Sequence, residues 1–322
     1  MADDERARWF AQQFEQTHRN LAQAIRGKDD VLRLALVCFF AEGHLLIEDV
    51  PGVGKTSLAR AIAASVQGGW HRIQFTPDLL PSDVTGVTIY NQANQQFEFH
   101  PGPVFTNIVI GDEINRASPK TQSALLEVME ENRVTVDGRP HPVPRPFMVI
   151  ATQNPVDMDG TYRLPEAQLD RFLIRAEIGY PDLDAEIEIL STQQTGSLVD
   201  QLAPVMTSDD VSRMITVASG VYVDPAIQGY IAQLAGALRS SHELRLAVSP
   251  RASLALMRAA RALAASAARA YVTPEDIKEL AVSVLAHRVI LTPDAELQGR
   301  TAAQIVSDAL SAVPVPLAQS RV

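Results

Sequence analysis

The sequence predicts an α/β protein, a parallel sheet covered on both faces, with a smaller helical domain after it. Two observations predict this. Up to about residue 181, short apolar runs alternate with helical patterns or long connections, the rhythm of a parallel sheet. From 182 to 322 that rhythm stops, and Ala-, Leu- and Val-rich helical stretches take over. The expected domains are therefore 1–181 and 182–322.

The first forty or so residues read as helices. Phe10, Phe14 and Leu21 share one face, and Val31, Leu34, Ala35 and Cys38 form a second stripe. The strand candidates are His44–Glu48, His71–Phe75, Asn107–Gly111, Phe147–Ala151 and Phe172–Ile178, with a helix over Ser57–Val66. Two hairpins interrupt the alternation. Val87–Tyr90 and Gln96–His100 flank a polar turn, while Arg133–Val136 and His141–Val143 flank Asp137-Gly138, a strong hairpin signal. Later helices are expected near 185–194, 209–219, 226–240, 250–270 and 274–287. Ser249-Pro250 and Thr273-Pro274-Glu275 read as helix starts with proline at the first helical position.

Composition narrows the function classes. Among 322 residues, 28 Lys and Arg stand against 38 Asp and Glu, a net charge of −10. Broad coating of DNA or of an anionic membrane is disfavoured, although a local basic groove stays open. The one cysteine, Cys38, excludes an internal disulfide framework and a cysteine-rich metal site. The apolar stretch Val31–Ile47 is broken by Arg33, Glu42 and His44 and is too short for a bilayer. No signal-peptide core follows the acidic N-terminus, so a cytoplasmic protein with no membrane insertion is expected. The seven histidines show no metal-ligand spacing.

Val50-Pro51-Gly52-Val53-Gly54-Lys55-Thr56-Ser57 lies between an expected strand and an expected helix. Its glycines let successive N–H groups turn toward phosphate oxygens, and the helix adds its N-terminal donors. Lys55 suits the β- and γ-phosphates of ATP, and Thr56 suits Mg²⁺. The strict Walker A pattern requires glycine at 49, where this chain has Asp49. Asp112-Glu113 ends a buried-strand pattern 57 residues after Lys55, which is the Walker B position. A carboxylate there faces the ligand crevice of an open α/β sheet. Asp112 would hold Mg²⁺ directly or through its water, and Glu113 would deprotonate the attacking water. Asn154 ends the next buried strand, where its amide could meet the γ-phosphate and the water; Asn154-Pro155 is also a common turn signal.

Gly111–Ala117, Lys120–Glu131, Ala151–Pro155, Leu164–Phe172, Ser249–Ser253 and Tyr271–Asp276 together resemble the MoxR family of AAA+ ATPases, over about residues 10 to 292. The resemblance implies an AAA+ P-loop NTPase core with a five-stranded parallel sheet and an all-helical lid. It implies that the hairpin at 87–100 is an insertion within the second helix and that the one at 133–143 precedes a polar sensor at Asn154. Asp49 is a departure the family tolerates. Gly111, Arg163 and Ala247-Val248 also depart from the commoner residues, away from the chemistry.

Arg171 is similar to the arginine finger offered to a neighbouring subunit, and Arg251 to the lid's sensor arginine reaching the γ-phosphate of its own subunit. Asp170 makes a local ion pair the alternative for Arg171, and Arg116 is a further candidate for facing a neighbour's phosphates. The implied activity is Mg-dependent ATP hydrolysis in a hexameric ring. It would be coupled to chaperone-like remodelling of a client, with a von Willebrand factor A domain protein bearing a metal-ion-dependent adhesion site as partner. The alternative is a nucleic-acid-dependent motor of the helicase branch. Its hairpin would carry Arg133, Arg139, His141 and Arg145, but Glu130, Glu131 and Asp137 flank these, without aromatic interleaving.

Overall fold

The computed structural model describes residues 3–49, 53–153, 162, 164–180, 183, 186–187 and 198–316. The N-terminal part runs α1 (Asp3–Ala24), α2 (Asp29–Phe40), β1 (Leu45–Glu48), α3 (Lys55–Ser65), β2 (Trp70–Gln74), α4 (Pro81–Thr85), β3 (Gly86–Asn91) and β4 (Gln96–Pro101). It continues with β5 (Ile108–Asp112), α5 (Pro119–Glu131), β6 (Arg133–Val136), β7 (Arg139–Pro142), β8 (Met148–Gln153), α6 (Glu166–Leu169) and β9 (Ile174–Ala176). The C-terminal part contains α7 (Ser208–Ser219), α8 (Pro225–Arg239), β10 (Leu244–Leu246), α9 (Pro250–Ser266), α10 (Pro274–Leu285), β11 (Ile290–Leu291), α11 (Pro293–Leu297) and α12 (Ala302–Ala312).

The expected five-stranded parallel sheet forms, in the order β2-β5-β8-β1-β9. β5 is buried at every residue and β8 at all but its last, as expected of central strands covered on two faces. On one face α1, α2, α3 and the C-terminal helices share one apolar cluster with Leu45, Ile47, Ile110 and Ile150. On the other, α5 and the bases of both hairpins pack on Leu46, Val109 and Val149. The expected boundary at 181 lies outside the described residues, as does most of the helix expected over 185–194.

The stripe expected on α2 is wider than its periodicity suggested: every residue from Ala35 to Phe40 is buried. α1 covers one side, where the Phe10 and Phe40 rings meet edge to face at 5.5 Å, and α9 covers another. Alanines dominate the buried surface of α9, among them Ala252, Ala259, Ala260 and Ala264. Their small side chains allow five neighbouring helices to approach it closely at little cost in side-chain entropy.

Both hairpins form. In the second, Asp137 (φ 50°) and Gly138 (φ 73°) are both left-handed, as a tight two-residue turn requires. The turn pairs Val136 with Arg139, so the second strand begins two residues earlier than expected. Pro140 is tolerated because the ribbon has only two strands and its nitrogen can face outward. After the first hairpin no helix resumes before β5; turns and bends fill 102–107. The lid is helical with one small antiparallel ladder, β10 with β11. Its strands are too short and too far apart in sequence to read as a hairpin.

His44 ties the sheet to α5. Its Nε2 donates to the Met129 carbonyl at 3.0 Å, and its Nδ1 accepts from the Val149 N–H at 3.0 Å. Burial lowers its pKa to about 4, and protonation would break the Val149 bond. The folded pKa lies below the unfolded value of about 6.5, so this stabilisation is complete above pH 6.5 and is lost as pH falls toward 4. The expected loss is on the order of 3 kcal/mol. In urea unfolding, the wild-type advantage over His44→Gln should shrink by that amount across this window; a difference independent of pH would refute the assignment.

Candidate active site

Lys55, Thr56, Asp112 and Glu113 converge on the C-terminal edge of the sheet. Val50, Pro51, Gly52 and Asn154 lie outside the described residues. Val53 packs against the main apolar cluster. Gly54 precedes α3 in a left-handed conformation (φ 91°) that strongly favours glycine, and among the described residues no side chain caps this helix. Among the described residues the first-turn N–H groups of Lys55, Thr56 and Ser57 thus meet no side-chain acceptor, which suits an anion.

Lys55 Nζ donates to the Asp49 carbonyl at 2.7 Å. Burial lowers its pKa, opposed by the charges of Asp49, Asp112 and Glu113. Asp49 also has a structural reason to replace glycine. Its carboxylate accepts the Gly179 N–H and its own N–H donates to Gln153, so it ties β1 to the ends of β8 and β9. Glycine could supply the second bond but not the first.

Thr56 Oγ1 donates to Asp112 Oδ2 at 3.3 Å. The two oxygens sit together as hard ligands for Mg²⁺ must, so the residues fit the ion the sequence implies. Arg72 Nε shares Asp112 Oδ2 at 2.6 Å. Thr152 bridges the acidic pair: its hydroxyl donates to Asp112 Oδ1 at 3.3 Å and accepts the Glu113 N–H at 2.9 Å. Glu113 has left-handed backbone (φ 57°, ψ 50°), a conformation costing roughly 1–3 kcal/mol for a non-glycine residue. Gln74 Nε2 at 2.8 Å and Arg116 Nη1 at 3.0 Å both donate to Glu113 Oε2. Arg116 is thus engaged with its own subunit's Glu113. Behind it, buried Gln122 donates to the carbonyls of Ile114, Ala117 and Tyr162, fixing the turn after Glu113.

Arg72, Gln74 and Thr152 were not identified as site residues from the sequence. The alternate spacing of Arg72 and Gln74 on β2 placed them on one face, but only pairing with β5 sets Arg72 opposite Ile110 and Gln74 opposite Asp112.

Arg171 and Arg251 lie elsewhere. Arg171 Nε donates to Glu130 Oε2 and Arg251 Nη2 to Glu130 Oε1, each at 3.0 Å. Glu130 lies in the last turn of α5, beside the Met129 carbonyl that holds His44, and His44 precedes β1. Both arginines therefore sit at the N-terminal edge of the sheet. His44 and Asp49 bracket β1, so the two edges are separated by roughly 15 Å at the rise of a strand. The expected reach of Arg251 to its own subunit's γ-phosphate is not met in this arrangement, because α9 packs with its N-terminus at the opposite edge. The expected alternative for Arg171, a pair with Asp170, is not formed either: Asp170 is taken by Arg288 at 2.7 Å.

Among the described residues, no helix is long and apolar enough to cross a membrane. The family model described as ATPase family associated with various cellular activities (AAA) matches residues 44–174, and that of the AAA lid domain matches 236–309. The chain is 40% identical to Chaperone MoxR1 of Mycobacterium tuberculosis over 91% of this chain and 79% of that one. It is 33% identical to Protein MoxR of Methylorubrum extorquens over 92% of both chains. A putative ATPase from Cytophaga hutchinsonii, solved as a crystal structure, superposes with a TM-score of 0.90 at 36% identity, covering 97% of this chain and 98% of that one. With the sheet, the phosphate-loop helix and the acidic pair in place, this chain belongs to the MoxR family of AAA+ ATPases.

Proposed function

We propose that this chain hydrolyses ATP to ADP and phosphate, with Mg²⁺, in a hexameric ring, and couples the reaction to remodelling of a client protein. The observation that carries the reading is the Glu113 carboxylate. It is held on a left-handed backbone beside Asp112, and its charge acts on Lys55. A conformation of that cost persists where surrounding contacts over-determine it, and here Thr152, Gln74 and Arg116 do so.

Lys55 exchanges the Asp49 carbonyl for the β- and γ-phosphates, which neutralise it better. Thr56 and Asp112 are the Mg²⁺ ligands, Asp112 directly or through water. When bound, Mg²⁺ offsets charge on the phosphate oxygens. Arg72 has to share or yield Asp112 Oδ2 at that moment. Glu113 takes the proton of the attacking water, and Asn154 orients that water and the γ-phosphate. Arg171 supplies positive charge to the site of an adjacent copy. The name of the mycobacterial relative, Chaperone MoxR1, supports a chaperone-like role. The family resemblance supports a von Willebrand factor A domain partner, and the single cysteine, Cys38, fits a reducing, cytoplasmic setting.

One observation favours the helicase-like alternative. The fold brings aromatic residues of the first hairpin to the second: Phe99 stacks on His141 at 4.0 Å, and the exposed Tyr90–Phe97 pair lies on the same ribbon face as Phe99. Steady-state phosphate release separates the readings. Turnover per subunit should rise with protein concentration, because the site is completed between copies, and should not respond to single-stranded DNA. Turnover independent of concentration would contradict the shared site. Stimulation by DNA, with retention lost steeply as salt rises, would favour the alternative.

A further inference from the structure

We propose that Asp170 is a positioning residue that mounts Arg171 and Arg251 as one unit, presented together to the nucleotide of an adjacent copy of this chain. The inference rests on the ATPase reading above and assigns Arg251 to the neighbour's site as well.

The geometry starts from the lid. Ser249 caps α9 by accepting the Ala252 N–H, and its hydroxyl also donates to Asp170 Oδ2 at 3.1 Å. Arg251 follows two residues later. From the ladder side of the lid, Arg288 donates through Nε to Asp170 Oδ1 at 2.7 Å. Its Nη2 reaches the carbonyls of Asp170 at 3.2 Å and Phe172 at 2.6 Å, and Nη1 reaches Leu173 at 3.3 Å. The Arg288 side chain is 3% exposed. His287 adds a bond from Nε2 to the Phe172 carbonyl at 3.1 Å. The lid thus grips the backbone on both sides of Arg171 and sets that side chain against Glu130 at the mouth of a cleft. Both Asp170 oxygens are used, one by the helix start that carries Arg251 and one by Arg288.

A buried, multiply bonded guanidinium behaves differently from an exposed ion pair. Removing one partner leaves the other charge uncompensated, so the arrangement resists being pulled apart. Arg171 on the core and Arg251 on the lid are consequently held at a fixed spacing. Both open into a cleft of about 520 Å³ lined by five arginines and three carboxylates, an excess of positive charge that suits a polyphosphate. This cleft lies at the N-terminal edge of the sheet, away from the chain's own Lys55. Glu130 bridges the two guanidiniums with its two oxygens at equal distance, the spacing a phosphate would need to engage both.

The test uses the full chain with Asp170→Asn, and Arg288→Lys as a second variant that keeps the charge but loses the forked geometry. ATP affinity, measured by equilibrium binding, should stay within about twofold of wild type, because binding is governed by Lys55. The turnover number should fall about 10²-fold, the cost of misplacing a catalytic group by about an ångström. Mixed with Lys55→Ala subunits, which bind no nucleotide but present intact arginines, both variants should regain turnover; Arg251→Ala should regain it too. Unchanged turnover, weakened ATP affinity, or no recovery in mixtures that co-assemble would each overturn the proposal. Failure of the ATPase reading itself looks different: wild type would release no phosphate, or Lys55→Ala would keep its affinity.

Discussion

Glu113→Gln binds ATP with wild-type affinity and releases phosphate about 10²–10⁴ times more slowly, the usual contribution of a positioned general base. The substitution is nearly isosteric. Its amide can still accept from Gln74 and Arg116 at Glu113 Oε2, so the left-handed turn and the Thr152 bond to the backbone N–H should survive. What is lost is the ability to take a proton. Equilibrium binding and single-turnover phosphate release on the same preparation check this. Undiminished release would remove Glu113 as the base, and lost binding would mean that the substitution had disturbed Lys55 instead.

Arg171→Ala has the larger expected effect. Alone it should lower turnover by about 10³–10⁵, the range for a finger supplied between subunits. Within its own subunit Arg171 meets only Glu130 among the described contacts, an ion pair with a quarter of the arginine side chain exposed. Losing such a pair costs little stability, about 0–1 kcal/mol. The thermal midpoint should therefore barely move while turnover collapses. Mixing with Lys55→Ala subunits should restore activity, since one variant supplies the nucleotide pocket and the other the arginine. A large drop in midpoint, or no recovery in mixtures that still assemble, would return Arg171 to a structural role.

Much of this site was legible before folding. Lys55, Thr56, Asp112 and Glu113 are carried on local signals, a glycine-rich strand-to-helix turn and a buried strand ending in two acids. Local signals survive because strand and turn geometry fix them over a few residues. The supporting contacts were not legible. Arg72 meets Asp112 from 40 residues away, and Thr152 meets it from 40 residues on the other side. Such pairings depend on strand order, β2 beside β5 and β5 beside β8. His44 gave no signal at all, since a lone histidine before a strand reads the same whether exposed or hydrogen-bonded at both nitrogens.

By itself the sequence determined the parallel α/β core, the helical part after it, both hairpins, and the acids and lysine that would handle a triphosphate. Only the tertiary structure decided where the arginines point. Arg171 and Arg251 are separated by 80 positions, and nothing in their spacing relates either to Lys55. Packing of α9 and the Arg288 turn against residues 170–173 sets both at the sheet edge opposite the phosphate loop. The physical reason is range: a turn's dihedral preferences act over neighbouring residues, whereas the direction in which a lid presents a charge is the net result of burial across the whole shared core.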